Sequence, residues 1–442
     1  MTIGLADAAS NLGAARAQMA ISLGWHIILA CLGVGLPLLI VIAEWRGQRT
    51  GRDHLGLLAR RWARTAGVLF AVGAVSGTIL SFEMGILWPG LMTTYGPVFG
   101  FPFALEGIAF FIEAIFIGIY LYGWDRLSPR VHLVCGIPII VAGCASAFFV
   151  VTANSWMNQP AGFTLVNGKL TDPNPLAAMF NGATPIETTH MILAAYMVSG
   201  FLVASVYAVA WLRGRRDDYV RAAFTIGFVV AAVCTPAQIV VGDIAARYVA
   251  DHQPAKLAAM EALMQTQSGV PEHVGGIVIN GRLVGALEIP HALSLLVNGD
   301  PNSTIVGLDA FPPDLQPPVN VVHIAFDIMV ACGTGLLGLA VWMFAVGVRR
   351  RLPVSRWFWR AAVLAGPAAT VAMECGWITT EVGRQPWIVY NVLRTKDAVN
   401  PAPGLWAGVI VLIIVYTLLT VATVYILRRI ASTQRPADSA KP

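Results

Sequence analysis

Apolar residues in this chain gather into nine long runs, at about 16–44, 57–82, 98–122, 131–153, 184–212, 219–243, 320–348, 358–382 and 403–428. About twenty apolar residues suffice for a helix to cross a bilayer, and each run reaches that length. The pattern predicts an all-α, polytopic integral membrane protein with nine transmembrane helices. It divides the chain into helices 1–6 at 1–243, a long polar segment at 244–319, helices 7–9 at 320–430 and a tail at 431–442. The polar segment is rich in Pro and Gly, and PAKLAAMEALMQTQ at 254–267 reads as a short amphipathic helix within it. A connection of this length is functional or disordered.

Composition agrees. Hydrophobic residues make up 57% of the 442 and charged residues only 12%, about half of what soluble domains carry. The pI near 9.0 is a matter of topology. Twenty-one of the 29 Lys and Arg fall in alternate connections and the C-terminal tail, among them Arg46, Arg49, Arg126, Arg213, Arg349 and Arg428. The positive-inside rule then puts the N-terminus outside, the 244–319 segment in the periplasm and the C-terminus in the cytoplasm. Nothing in this distribution asks for a nucleic acid. The apolar run after Arg16 is too long for a signal peptide and lacks a basic leader, so it reads as a retained helix. All six cysteines lie inside apolar runs, and no CxxC or CxxCH occurs. A disulfide framework, a thiolate metal site and c-type haem attachment are therefore disfavoured.

Ionisable residues inside apolar runs are costly and mark function by default. His26, Glu106, His190, Met329 and Glu381 all fall in the outer half of their helices, His26 roughly 15 Å below the outer surface. A cofactor layer near the outer face accounts for that clustering, and His and Met are axial ligands of electron-transfer haems. Taken singly, a buried His is as well explained by a structural hydrogen bond, and a Met by packing. Glu106 and Glu113 stand seven apart on one helix face, and Glu374 and Glu381 repeat the spacing. A line of carboxylates suits a proton path, to which Ser146 adds a hydroxyl; the plainer alternative is helix–helix hydrogen bonding.

Six stretches together resemble cytochrome bd oxidase subunit I: RAQMAISLGWH at 16–26, FALEGIAFFIEA at 103–114, YGWDRLSP at 122–129, ANSWMNQPAG at 153–162, DIMVACG at 327–333 and GWITTEVGRQPW at 376–387. The last is the most specific. The resemblance implies a quinol:O2 oxidoreductase of the bacterial inner membrane that contributes to the proton-motive force. It implies His190 and Met329 as the axial pair of a low-spin haem b. His26, Glu106 and Glu381 are implied as iron ligands of a high-spin haem b and of a haem d or third haem b, with their division between the two left open. Glu106, Glu113 and Ser146 are implied to carry protons, Trp377 to lie between haems, and Arg384 to face a propionate, for which a guanidinium is a natural bidentate partner. Lys256 and Glu261 are implied to bind quinol in the 244–319 segment. A subunit II-like membrane partner follows from the family, with room for a small accessory subunit. Asp327 departs from the pattern, standing where Arg is expected, and a negative charge there lowers the potential of the neighbouring haem. Two further function classes stay open at this level. A proton-coupled transporter predicts midplane sites and internal repeats; a b-type electron-transfer subunit lacks an oxygen site.

Overall fold

The computed structural model describes residues 2–347 and 352–433, with side chains placed from Ser10 to Gly347 and from Leu352 to Ala431. The basic residues Arg349 to Arg351 and the tail beyond Thr433 lie outside the described residues. In chain order the helices are α1 (Thr2–Thr50), α2 (Asp53–Leu87), α3 (Pro89–Gly123), α4 (Pro129–Asn158), α5 (Pro175–Met179), α6 (Thr184–Leu212), α7 (Asp218–His252), α8 (Pro254–Met260), α9 (Ala292–Asn298), α10 (Val319–Gly347), α11 (Arg356–Gly383), α12 (Thr395–Ala398) and α13 (Leu405–Thr433). Among the described residues, nine of these are long and apolar enough to cross a membrane: α1 to α4, α6, α7, α10, α11 and α13. The fold class read from the sequence is therefore the one observed.

Six of the helices, α1 to α4, α7 and α11, outrun their apolar runs at both ends. α2 holds 35 residues, about 52 Å at 1.5 Å per residue, against a hydrocarbon core of about 30 Å. Hydropathy ends where polar residues begin, whereas a helix ends where its backbone is capped. α1 runs through the basic residues 46–49 and stops only at Gly51, which adopts φ +63°. Asp217 caps α7 by accepting from the Val220 N–H at 2.9 Å, and α7 continues nine residues past the boundary read at 243.

The 244–319 segment is folded. α8 covers only 254–260 of the stretch read as a helix, because Ala262 turns left-handed at φ +48° and Leu263 N bonds back to Ala258 O at 2.8 Å. Leu257, Ala258, Leu263, Val270, Leu293, Ile305 and Leu308 form a small buried core. Around it lie the strand pairs β3 (Gln267–Ser268) with β8 (Thr304–Ile305), β4 (Glu272–Val274) with β7 (Leu287–Ile289), and β5 (Ile277–Ile279) with β6 (Arg282–Val284). β5 and β6 close through Asn280-Gly281 at φ +52° and +74°. Between α4 and α5, β1 (Thr164–Val166) and β2 (Lys169–Thr171) close through Asn167-Gly168 at φ +51° and +74°. Asn-Gly is the strongest short-range hairpin signal, and both copies stand legibly in the sequence. A last pair, β9 (Trp387–Val389) and β10 (Leu393–Arg394), follows α11.

The chain divides into two compact units. One holds residues 1–90, 108–144 and 399–442; the other holds 91–107 and 145–398. In the first, Gln18 Nε2 donates to Leu405 O at 2.8 Å and Trp25 Nε1 to Thr420 Oγ1 at 3.0 Å, tying α1 to α13. In the second, a Cβ on Gly200 would lie 2.5 Å from Gly227 O. There α6 and α7 touch backbone to backbone, as small residues permit in membranes. Ser205 Oγ bonds both Ala362 O and Gly366 N, locking α6 to α11.

Candidate functional site

Asn158, the last residue of α4, is the hub of a polar network in the second unit. Its Nδ2 donates to Glu187 Oε1 at 2.9 Å, to Asn154 Oδ1 at 3.1 Å and to Thr380 Oγ1 at 3.3 Å. Its Oδ1 accepts from Lys256 Nζ at 3.0 Å and from Arg384 Nη1 at 3.1 Å. Arg384 Nη2 also donates to Glu381 Oε2 at 2.6 Å, and Asn154 Nδ2 donates to Glu381 Oε1. Four elements converge here: α4, α6, α8 and the end of α11. Gly383 is needed where it stands, because a Cβ there would lie 2.8 Å from Lys256 Cγ.

Lys256 is buried at 3% exposure. Its pKa is lowered to about 7, chiefly by burial and then by the Arg384 guanidinium, with Glu187 and Glu381 pulling the other way. It therefore exchanges a proton near neutrality, which an ordinary lysine does not. Glu261, capping α8, faces a different set of groups. Burial and the neighbouring Glu272 and Asp327 push its carboxyl well above the usual carboxylate range. Its Oε2 is buried with no hydrogen-bond partner. Lys256 and Glu261, which the sequence reading puts in one quinol site, have different charged neighbours: Arg384, Glu187 and Glu381 for the first, Glu272 and Asp327 for the second.

Asp327 Oδ2 accepts from Gly275 N at 2.7 Å and stands 3.5 Å from His323 Nε2. His323 itself is fully buried and bonds Met260 O at 2.7 Å and Gly275 O at 3.0 Å. The residue that departs from the family pattern thus pins the 244–319 segment to α10.

His190 on α6 lies 3.0 Å from the Gln238 amide through Nε2, and its Nδ1 is buried with no partner. A Cβ on Gly242 would lie 3.4 Å from His190 Cε1. Met329 on α10 faces α11, where a Cβ on Gly376 would lie 3.1 Å from its Sδ. Ser146 Oγ donates to Glu106 Oε1 at 3.0 Å, joining two residues that the sequence put on one path. Glu374 on α11 keeps a buried Oε1 without a partner, and Trp377 follows three residues later in the same helix.

In the first unit His26 Nδ1 lies 2.8 Å from Ser76 Oγ, and Ser76 Oγ donates its own proton to Gly73 O at 3.0 Å. With that hydroxyl proton committed, Ser76 must accept from His26. The ring proton therefore sits on Nδ1 and Nε2 presents a bare lone pair, the tautomer a metal requires. Gly77 clears the ring, since a Cβ there would lie 3.1 Å from Cε1. Glu113 is buried at 5% exposure in this unit.

Sequence reasoning missed Asn154, Asn158, Glu187, Ser76 and Glu83. Glu187 carries a signal, being an acidic residue in an apolar run three positions before His190. Glu83 stands one residue past the apolar run read at 57–82, inside α2, and both of its oxygens are buried without partners. Asn158 and Ser76 are short polar residues among many, and only their partners single them out.

These residues fit haem. Among the described residues, no three His, Cys, Asp or Glu side chains gather into a protein-only metal site. A porphyrin supplies four of an iron's ligands and asks the protein for isolated axial donors in a dry setting. His26 Nε2, the unpartnered His190 Nδ1 and the Met329 sulfur, each facing a glycine, are such donors. Arg384 Nε, buried without a partner, is a free donor for an acidic group.

Fold and site together define a polytopic helical membrane protein with buried axial-ligand candidates and a folded polar segment over one end. The family model for cytochrome bd terminal oxidase subunit I matches residues 14–435, and the chain belongs to that family. The structure of bd oxidase from Geobacillus thermodenitrificans superposes with a TM-score of 0.91 at 37% identity, over 96% of this chain and 99% of that one. A Bacillus subtilis protein named provisionally as a cytochrome bd menaquinol oxidase subunit I is 37% identical over 93% of this chain and 95% of its own length. The Escherichia coli cytochrome bd-II ubiquinol oxidase subunit 1 is 27% identical over 94% and 95%. The chain is a multi-pass protein of the bacterial inner membrane and a subunit I of a quinol:O2 oxidoreductase, with haem cofactors, a quinol donor and a subunit II partner.

Proposed function

We propose that this chain oxidises quinol at a periplasmic site over the 244–319 segment and delivers cytoplasmic protons to oxygen held on the same subunit. The hub at Asn158 carries the reading. It joins the quinol-side base Lys256 to Glu381 through one amide and one guanidinium. When bound, a low-spin haem b, a high-spin haem b and a haem d or third haem b supply electron transfer and the reduction of oxygen. His190 and Met329 would hold the first; His26, Glu106 and Glu381 would hold the others.

The rest is the work of side chains. Each quinol loses two protons and two electrons. Lys256, poised near pH 7, takes the two protons one after the other and passes each outward before accepting the next. Glu261, kept neutral by burial, donates a hydrogen bond to a quinol oxygen. Arg384 and Asn154 hold Glu381 in place. Glu106 and Ser146, with Glu113 and Glu374, take protons inward from the cytoplasmic side, and four protons with four electrons turn O2 into two waters. Release on one side and uptake on the other separates charge. Trp377 would lie between the haems once they are bound. The N-terminus faces the periplasm and the C-terminus the cytoplasm, subunit II covers part of the apolar surface, and a small accessory subunit completes the complex.

A dithionite-reduced minus oxidised spectrum of the purified complex, with and without carbon monoxide, tests this. A b-type band with a far-red band that moves with carbon monoxide is expected. A carbon monoxide-sensitive b spectrum alone would make the oxygen-site group a third haem b. A spectrum without haem would overturn the reading.

A further inference from the structure

A second buried polar cluster lies in the first unit, at the end of α1 that carries Arg46 and Arg49. Tyr120 Oη donates to Glu44 Oε2, His132 Nδ1 lies 2.8 Å from Glu44 Oε1, and Gln48 Nε2 donates to the same oxygen at 2.9 Å. His132 Nε2 lies 2.9 Å from Tyr120 O. Both ring nitrogens thus face acceptors, a carboxylate and a carbonyl, so both carry protons and the ring is the cation that balances Glu44. Glu44, Tyr120 and His132 are each at 4% exposure or less. Outward from them, the Trp124 ring lies tilted against His132 with centroids 4.1 Å apart, Arg60 lies 5.0 Å over Trp124, and Arg60 pairs with the exposed Asp125. The cluster is a graded entry from water to the interior.

Inward lies a cavity with about 30 Å³ of water-accessible space, room for about two waters. Gly33, Pro37, Glu113, Ile117, Tyr120 and Gly136 are among its walls. Glu113 and Tyr120 are two turns apart on one face of α3, about 10 Å along its axis, which is too far for a direct proton transfer. Water there needs polar partners, and the backbone offers one besides Glu113. Pro37 has no N–H, so the Gly33 carbonyl loses its helical donor and remains an acceptor at the cavity wall. The cavity has Glu113 at one wall and Tyr120, with its hydrogen-bonded ion pair, at another, and water between them makes a relay.

We propose that Glu44, Tyr120 and His132 form the proton entrance that feeds Glu113. This rests on the function proposed above. A proton from the basic-rich side enters on Glu44. Tyr120 then takes that proton at its oxygen while giving its own hydroxyl hydrogen to the cavity waters, which pass one along to Glu113. Glu44 returns to the carboxylate, Tyr120 to the phenol, and one proton has moved with no change of oxidation state.

The test uses the whole complex carrying Tyr120→Phe, with Glu44→Gln as a second variant. Reduction of the low-spin haem by quinol without oxygen reports on everything upstream of proton uptake. Steady oxygen consumption in H2O and D2O reports on uptake. Tyr120→Phe is expected to slow oxygen consumption by about tenfold with a larger solvent isotope effect, while anaerobic haem reduction keeps its rate; Glu44→Gln should do the same more strongly. Wild-type turnover and isotope effect in both variants would overturn the proposal. So would an equal loss of anaerobic haem reduction, which marks a purely structural role. A native complex that consumes no oxygen with quinol would instead sink the proposed function, whatever the variants do.

Discussion

His26 and Glu381 are both offered as iron ligands, and the protein holds them in opposite ways. His26 is fixed by one neutral bond, from its Nδ1 to a serine hydroxyl whose own proton is spent on Gly73 O. Glu381 is fixed by a charge and an amide, Arg384 and Asn154, and through Asn158 it shares partners with Lys256 and Glu187. The first arrangement sets a tautomer and nothing else. The second makes the ligand's position depend, through Asn158, on Lys256, whose pKa is lowered to about 7. A change around His26 should therefore stay local, whereas a change around Glu381 should be felt at the quinol site.

The largest effect is expected from Asn158→Ala. It strips Lys256, Arg384 and Glu187 of a common partner inside a buried site, where each unpaired group costs about 1–3 kcal/mol and more when charged. Turnover should fall by two orders of magnitude or about that, and thermal stability of the haem-loaded complex should drop with it. Asn158→Ala retaining native turnover would mean that the two sides of the network are independent, and the comparison would fail.

Lys256→Met comes next and is read by pH. In the proposed role Lys256 would accept a quinol proton only when neutral, and its pKa is lowered to about 7. Quinol oxidation in the native complex should therefore rise as pH climbs through about 7 and level off above it. Lys256→Met should be slower at every pH, by about tenfold or more on the plateau, and should lack that limb. A limb that persists in the variant would assign it to another group. Burial and the neighbouring Glu272 and Asp327 raise the Glu261 carboxyl, which makes it the other group to test: if Lys256 sets the limb, Glu261→Gln leaves it in place.

Ser76→Ala probes the other side. Without the hydroxyl, the ring proton of His26 is no longer assigned to Nδ1, and loss of such a supporting bond typically costs about 10–100-fold in metal affinity. Haem loss from one site is expected, seen as a fractional fall in haem content, with the pH profile of quinol oxidation unchanged. A shifted pH profile would show that the two sites are not separable in the way their contacts suggest.

The difference between the two regions also governs what the sequence could reveal. The nine helices were legible because hydropathy is a sum over twenty-odd residues, and no single error matters. His26, His190, Glu106, Glu113, Glu374 and Glu381 were legible because a polar side chain in an apolar run stands out against its background. Asn158 and Asn154 sit at the end of α4, where polar residues are ordinary, and their role arises only from what α6, α8 and α11 bring to them. The separate surroundings of Lys256 and Glu261 were hidden for a similar reason. They stand five residues apart in a stretch read as one helix, Lys256 within α8 and Glu261 at its C-terminal cap, and their different neighbours come from elements distant in the chain. The Asn-Gly hairpins were readable by their turn chemistry and were passed over inside segments taken as irregular.

The smallest effect concerns Asp327. A carboxylate close to the low-spin site should lower that haem's potential, and removing it should raise it. Here, however, the carboxylate accepts from Gly275 N and stands 3.5 Å from His323, whose two ring nitrogens both face carbonyl oxygens. A ring in that setting donates from both nitrogens and carries a positive charge, so most of the field of Asp327 is cancelled at its source. Asp327→Asn keeps the bond from Gly275 and leaves His323 charged, and a redox titration should show an upward shift below about 60 mV, a one-electron factor of ten. Asp327→Arg places two cations together and should shift the midpoint further, while loosening the 244–319 segment from α10. An unchanged midpoint in Asp327→Arg would remove Asp327 from the electrostatics of that haem and leave it only the work of holding Gly275.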